Sequence, residues 1–357
     1  MTQVTKQPRI LIVAVNWLGD LIFLTPAIRA IRRNYPNAYV ACLVAPRGLD
    51  LLAGNPHLNS VIPLEEKRGL LGMTRWPIFI RFLKAQHFDT VFLFHRSFSR
   101  ALMTWAAGIP SRIGYRTWKR GWLLTQAIDA PRPDSLHKAA YYLRLLEAAG
   151  LKTDGLRYEV GLLAEDHAKA KRLLAEWGVS SSERLVALHV GANWHLKRWP
   201  TGHFALLADR LHRECGAKVV LIGDREDLPL VQQVLEKARS RPIVAAGKTS
   251  FRELGALLTR THLLVSNDSG PLHLGIAVGI PVVAIFGPTD PALSGPPREM
   301  VAASGCGTTP ASSVVAGATL FGSIGCEVPC LQLRCPVNLC MEQVHVEQVL
   351  EAAKKFL

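Results

Sequence analysis

The sequence predicts an α/β chain of two consecutive doubly wound domains, and three observations predict it. Short runs that are apolar on both faces, such as Ile10–Val15 and Leu185–Val190, recur along the chain. Such runs are too short for helices and read as buried parallel strands. Helical stretches alternate with them, which implies a parallel sheet covered on both sides. The pattern also starts twice, and 357 residues suffice for two separate cores.

In the first half, Ile10–Val15 leads through Asn16-Trp17-Leu18-Gly19-Asp20 into a helix carrying Leu21, Leu24, Ile28 and Ile31. That helix ends near Asn34-Tyr35-Pro36. Ala38–Val44, Val61–Leu64 and Thr90–Phe94 read as further strands, and Ile78–Gln86 as a helix. Ala107–Tyr115 is a loop feeding a short strand, and His137–Ala149 is a helix. In the second half Leu185–Val190, Lys218–Ile222, Ile243–Ala245, His262–Ser266 and Pro281–Phe286 repeat the strand pattern. The break falls within Leu162–Ser182, which sets domains at 1–170 and 171–343. Val344–Leu357 is an amphipathic helix able to cap either. Val301–Cys326 carries no charge, is rich in Gly, Ser, Thr and Ala, and reads as a loop. Two such domains would face each other across a cleft lined by strand-end loops, where open α/β sheets bind ligands.

Composition narrows the function classes. Apolar residues make up 49% and charged residues 20%, as in a soluble globular protein. Lys and Arg outnumber Asp and Glu 42 to 28, a net charge of +14. From Lys67 to Arg144 there are fourteen Lys or Arg against Asp89, Asp129 and Asp134, so most of the excess sits in the first domain. That field attracts nucleic acid, phospholipid headgroups or a phosphorylated substrate. Aromatic residues are only 7% and no RNA- or DNA-binding motif is present, which argues against a nucleic-acid binder. No targeting signal opens the chain, and no run of about twenty apolar residues would span a bilayer. A cytoplasmic protein touching a membrane surface is the expectation. Of seven cysteines, Cys42 and Cys215 read as reduced thiols, and Cys306 lies in the small-residue loop. Cys326, Cys330, Cys335 and Cys340 lack the C-x2-C pair common in zinc sites. Reduced structural thiols are the expectation there, with a metal or iron–sulfur site as the alternative.

Three phosphate-binding motifs were tested against the residues. The first strand is not followed by G-x-G-x-x-G, so the dinucleotide fingerprint is missing. Gly247-Lys248-Thr249 mimics the end of a P-loop, but Pro242 stands where its first glycine belongs, and Ser250-Phe251-Arg252-Glu253 fits a helix capping box. The third candidate is Asn267-Asp268-Ser269-Gly270-Pro271-Leu272-His273, where a strand turns into a helix. The helix's first N–H groups lack internal partners and suit a phosphate, with Ser269 at the N-cap and His273 returning over the turn. The alternative is an ordinary capped helix.

Neighbouring loops supply further groups. Lys197 lies beyond a strand end, where its charge can meet a diphosphate or simply face solvent. Asp224 and Glu226 follow another strand and offer carboxylates to ribose hydroxyls or an adenine amine, or serve as helix-start acids. Lys248 and Thr249 sit at the next strand end. Asp20 is the carboxylate at the end of the first strand, either an N-cap or a general base. Carboxylates at a helix start are weak bases, so proton removal would come late, as in glycosyl transfer with its oxocarbenium-like transition state.

Four segments in this order resemble bacterial ADP-heptose:lipopolysaccharide heptosyltransferases, glycosyltransferase family 9. They are Asn-Trp-Leu-Gly-Asp (16–20), Ala-Gly-Ile-Pro-Ser-Arg-Ile-Gly-Tyr (107–115), Gly-Ala-Asn-Trp-His-Leu-Lys-Arg-Trp-Pro (191–200) and Val-Ser-Asn-Asp-Ser-Gly-Pro-Leu-His (265–273). Details are nearer to the second heptosyltransferase of that pathway than to the first. The resemblance implies a GT-B fold of two Rossmann-like domains, acceptor in the first and ADP-heptose in the second. It also implies an inverting single displacement with no obligatory metal or cofactor. It makes Asp20 the base, Lys197 a diphosphate or sugar contact, and Asp268, Ser269, Gly270 and His273 the donor-phosphate turn. Asn193 falls where the family often has a hydroxyl residue. Asp224 or Glu226 would bind ribose, and nothing carries over to the tail cysteines. The anionic lipid A–Kdo acceptor gives the basic domain a use. Arg96, Arg100, Arg112 and Arg116 are the acceptor candidates, or else solvated charges. The alternatives are a nucleotide-sugar epimerase of the same fold and a transferase using another sugar nucleotide.

Overall fold

The computed structural model describes residues 7–64, 70–132, 135–297, 301–302, 315–322, 330, 335 and 338–357. The chain divides into unit 1, Met1–Gly161, and unit 2, Leu162–Leu357. This boundary lies earlier than the expected residue 170. The chain from Leu162 onward is already committed to unit 2, because Asp166 accepts a 2.7 Å ion pair from Arg252.

Unit 1 runs β1 (Arg9–Val13), α1 (Leu18–Asn34), β2 (Tyr39–Val44), α2 (Leu49–Ala53), β3 (Ser60–Pro63), α3 (Leu70–Ala85), β4 (Thr90–Leu93), α4 (Phe98–Ala106), β5 (Ser111–Tyr115), β6 (Gln126–Ile128) and α5 (Lys138–Ala148). All its strands pair in parallel, in the order β3-β2-β1-β4-β5-β6. This is the doubly wound order, with its reversal between β1 and β4. The central strands β1, β2 and β4 are the most buried, and Leu11, Val13, Ala41, Leu43, Val91 and Leu93 of one face pack in one cluster.

Unit 2 runs α6 (Ala164–Glu176), β7 (Leu185–His189), α7 (Thr201–Cys215), β8 (Lys218–Ile222), α8 (Leu228–Lys237), β9 (Ile243–Val244), α9 (Phe251–Leu258), β10 (Leu263–Asn267), α10 (Gly270–Ala277), β11 (Val282–Phe286), α11 (Pro291–Ser294), β12 (Val301–Ala302), β13 (Val315–Phe321), α12 (Leu339–Glu342) and α13 (Val346–Lys354). The order β12-β13-β11-β10-β7-β8-β9 repeats the doubly wound plan, here reversing between β7 and β10. The capping box at α9 is as expected: Ser250 Oγ accepts from Glu253 N at 3.2 Å, and Glu253 Oε2 accepts from Ser250 N at 2.8 Å.

Two expectations change. The small-residue stretch expected as a loop contains β12 and β13, and β13 pairs in parallel with β11 from Gly317 to Phe321. The open edge of β11 supplies a backbone ladder, so pairing overrides weak strand propensity. The C-terminal helix, expected over Val344–Leu357, is α13 and belongs to unit 2. Trp199 Nε1 donates to Val344 O at 2.8 Å and Arg210 pairs with Glu347 at 2.9 Å. Lys67, Asp134, Cys306 and Cys326 lie outside the described residues. Cys330, Cys335 and Cys340 are free thiols.

Candidate functional site

A dense polar cluster among the described residues of unit 2 lies at the carboxyl ends of β7, β8 and β10, beside the point where strand order reverses. Asn267, the last residue of β10, is completely buried and organises it. Its Oδ1 accepts from Trp199 N at 3.0 Å, and its Nδ2 donates to Val190 O and Gly191 O, each at 3.1 Å. One side chain thereby satisfies three backbone groups of the loop after β7 and fixes the loop against the turn after β10.

That loop delivers Lys197. Its Nζ donates to Asp268 Oδ2 at 2.6 Å, and the same oxygen accepts from Thr289 Oγ1 at 2.8 Å. His273 Nε2 lies 3.6 Å from Asp268 Oδ1. Burial alone would raise the pKa of this carboxyl, but the hydrogen bond from His273 and the charge of Lys197 outweigh it and hold Asp268 well below the usual carboxylate range. Asp268 is therefore a fixed negative charge turned inward, and it aims Lys197 rather than a ligand. His273 is likewise buried, and its ring returns to Asp268 within the turn.

Ser269 stands at the N-cap of α10 in extended conformation, yet its hydroxyl does not cap the helix. Its Oγ lies 3.0 Å from His189 Nδ1 and 3.1 Å from Asn267 O. Across the ring, His189 Nε2 lies 3.4 Å from Asp227 Oδ2. The carboxylate favours the tautomer with its proton on Nε2, which leaves Nδ1 to accept from Ser269. Burial pushes the Asp227 pKa up, and the hydrogen bond and charge of His189 more than reverse this. Asp227 fits because glycines stand on both sides. A Cβ on Gly191 would lie 1.9 Å from its Oδ1, and one on Gly223 would lie 2.5 Å from its Oδ2. With the Ser269 hydroxyl turned toward His189, the first turn of α10 offers the N–H groups of Gly270 and Leu272; Pro271 has none.

The other donor candidates divide by geometry. Asp224 Oδ1 accepts from Glu226 N at 2.8 Å and Asp227 N at 3.2 Å, so it shapes its own turn. Glu226 is exposed and its carboxylate makes no bond among the described residues. Asn193 is exposed. Lys248 reaches over the Trp177 ring at 5.6 Å, and Thr249 is half-buried beside it in sequence. A separate concavity, lined by Lys171, Glu183, Arg260 and His262, opens at the amino ends of β7 and β10, the opposite edge from that used by ligands of such sheets.

In unit 1, Asp20 lies in the first turn of α1, at the end of β1, and its Oδ1 accepts from Lys138 Nζ at 3.0 Å. Lys138 opens α5 and is also 5.8 Å from the Phe23 ring. The acceptor candidates separate. Arg100 is buried and donates to Ala14 O at 2.5 Å and Asn16 Oδ1 at 2.6 Å, so it braces the loop after β1 instead of meeting a ligand. Arg112 is spent on Leu123 O and Ile109 O. Arg96 and Arg116 are exposed, Arg116 pairing with Asp129 at 3.1 Å.

Sequence reading missed His189, Asp227, Thr289 and Lys138 as site residues. His189 closes an otherwise aliphatic strand, and a polar residue at a strand's carboxyl end was the one available signal. The other three looked like ordinary helix-start or loop residues.

Comparison with known proteins adds a family. Residues 77–319 match the family model described as glycosyltransferase family 9 (heptosyltransferase). The chain is 27% identical over 297 residues to lipopolysaccharide heptosyltransferase 2 of Salmonella typhimurium, covering 81% of this chain and 85% of that protein. The glycosyl transferase family 9 structure from Veillonella parvula superposes with a TM-score of 0.83 at 25% identity, covering 98% of this chain and 97% of that one. The structure of E. coli ADP-heptose lps heptosyltransferase II gives a TM-score of 0.79 at 22% identity, covering 98% of each.

Proposed function

The chain belongs to glycosyltransferase family 9, the heptosyltransferases, and from that premise we propose that it moves L-glycero-D-manno-heptose from ADP-heptose to the Kdo/heptose inner core of lipopolysaccharide by one inverting displacement. Family membership removes the epimerase alternative. The observation that carries the donor side is the convergence of Lys197 and the open first turn of α10 at the strand-order reversal of unit 2. A cation and helix N–H groups at one place neutralise a diphosphate.

In this reading the acceptor hydroxyl attacks the anomeric carbon as the bond from that carbon to the β-phosphate oxygen breaks. The hydroxyl proton passes to Asp20, and ADP departs with its new charge held by Lys197 and α10. Lys138, 3.0 Å from Asp20 Oδ1, holds that carboxylate in place. Asp268, Asn267, His189 and Asp227 do not touch substrate; they position Lys197 and Ser269. Glu226, its carboxylate unengaged, is the better ribose partner than Asp224. Because protein cations balance the leaving group, no divalent metal is required. Work on a lipid-borne acceptor implies a cytoplasmic enzyme at the inner-membrane surface. No helix among the described residues is long and apolar enough to cross that membrane.

Incubation with ADP-heptose and Kdo2-lipid A tests the proposal. Formation of heptosylated lipid with ADP release, persisting in EDTA, is the expected result. Transfer from a different sugar nucleotide, with none from ADP-heptose, would sink the donor assignment.

A further inference from the structure

Unit 1 carries an aromatic surface that neither its core nor the proposed chemistry uses. Trp118 is 88% exposed, Trp122 67% and Trp105 49%. Such exposure is unusual for so large an apolar ring and marks interaction surfaces when it is grouped. Here it is grouped. Trp105, near the end of α4, meets Trp122 edge-on with ring centroids 6.4 Å apart. Trp118 and Trp122 belong to one tight turn, in which the Thr117 carbonyl accepts from Arg120 N at 3.2 Å and Gly121 N at 3.0 Å.

The turn is fixed from beneath. Arg120 is fully buried and donates to Tyr115 O at 3.0 and 2.7 Å and to His95 O at 2.5 Å. The rings are thus presented on a rigid mount, not on a loop free to fold them inward. One cation packs on them, and others are exposed in the same unit. Lys119 Nζ lies 4.7 Å from the Trp118 ring centroid, and Arg116 and Arg96 are exposed; Asp129, paired with Arg116, is an acid within this group. α3, packed on α4, exposes Ile78 and Phe82 along with Arg81 and Lys84.

We propose that this surface docks on an anionic lipid bilayer, with Trp118 and Trp122 in the headgroup layer and the flanking cations against lipid phosphates. Indole rings have an apolar body and a polar N–H, which is why tryptophan collects at membrane interfaces. Basic residues beside them add attraction to anionic lipid. Charge selects this occupant over a second copy, because a two-fold contact through the patch would set its own cations against each other. The proposal rests on the lipid-acceptor reading for its use, not for its physics.

The test is sedimentation of the full chain with vesicles of phosphatidylethanolamine and phosphatidylglycerol, and with phosphatidylcholine vesicles alone. The wild type should bind the anionic vesicles and bind the neutral ones far more weakly. Trp118→Ala/Trp122→Ala should lose about ten-fold or more in binding, and Lys119→Ala roughly five-fold. Transfer to a delipidated, water-soluble acceptor should be unchanged in both variants. Double-variant binding equal to wild type overturns the proposal. So does a wild-type dimer, seen by sedimentation velocity, that the double variant abolishes while anionic vesicles capture neither protein. Vesicle binding without transfer to any acceptor would sink the transferase reading alone, and transfer without vesicle binding would sink docking alone.

Discussion

Replacing Lys197 by alanine probes the division of labour between Lys197 and Asp268. Lys197 Nζ lies 2.6 Å from a buried carboxylate whose remaining partners are Thr289 at 2.8 Å, Ser294 at 3.5 Å and His273 at 3.6 Å. In Lys197→Ala the diphosphate loses a cation and meets an unbalanced negative charge in its place. At an effective dielectric near 20 and separations of about 5 Å, each such interaction is worth roughly 3 kcal/mol before solvent screening. A net loss of about 2–4 kcal/mol is expected, or roughly thirty- to several-hundred-fold in ADP affinity. Removing the repulsion should restore part of this, so Lys197→Ala/Asp268→Asn should bind ADP about ten-fold better than Lys197→Ala alone. Calorimetric titration with ADP reads both. A double variant no tighter than the single would show that Asp268 serves the donor directly, and unchanged affinity in Lys197→Ala would remove Lys197 from the site. Stability provides an independent check. Breaking a fully buried pair costs about 3–5 kcal/mol, and the partial exposure of Lys197 reduces this to about 2. In the wild type the depressed pKa of Asp268 contributes stability above the ordinary aspartate pKa, and that contribution fades as pH falls through the folded value. In Lys197→Ala the share of the lowering due to Lys197 is gone while the hydrogen bond from His273 remains, so the stability gap between the two proteins should stay level down to the ordinary aspartate pKa and narrow only below it.

Asp20→Asn should reduce turnover by about a hundred-fold or more with ADP affinity intact, and near-normal turnover would exclude Asp20 as the base. His189→Ala and Ser269→Ala should each weaken ADP binding by roughly ten-fold, and the double variant little further, since both break one relay; additive losses would separate the two residues. Glu159 in unit 1 is pulled up by burial but drawn down further, to about 2, by His57, Arg29 and Arg157. A lowered folded pKa contributes stability above the ordinary glutamate value that is lost as pH falls through about 2. Glu159→Gln should therefore cost about 2–3 kcal/mol at pH 7 and much less near pH 3, by urea denaturation; a pH-independent cost would refute the pairing.

Much of the fold was legible in the residues. Runs such as Ile10–Val15 and Leu185–Val190 are buried on both faces in the structure, and the turn after Asn267 does enter a helix at an acid, a serine and a glycine. β13 was not legible, because Gly317 and Ala318 hold their strand through the ladder with β11 and not through their own preference. Arg100 read like its exposed neighbours, since one arginine in a basic segment looks like another until the carbonyl it braces is known.

The sequence by itself determined the local grammar: strand and helix alternation, two cores, a basic first unit and a strand-to-helix turn suited to phosphate. These follow from periodicity and turn chemistry over a few residues, which any reading of neighbours can recover. Tertiary structure alone decided which groups meet. Lys197 reaches Asp268 across 71 positions of sequence, and His189 reaches Ser269 across 80. They meet because the sheet sets β7 beside β10, so that two carboxyl ends far apart in the chain share one edge. Strand order is fixed by how the whole unit packs, and no single stretch of residues encodes it.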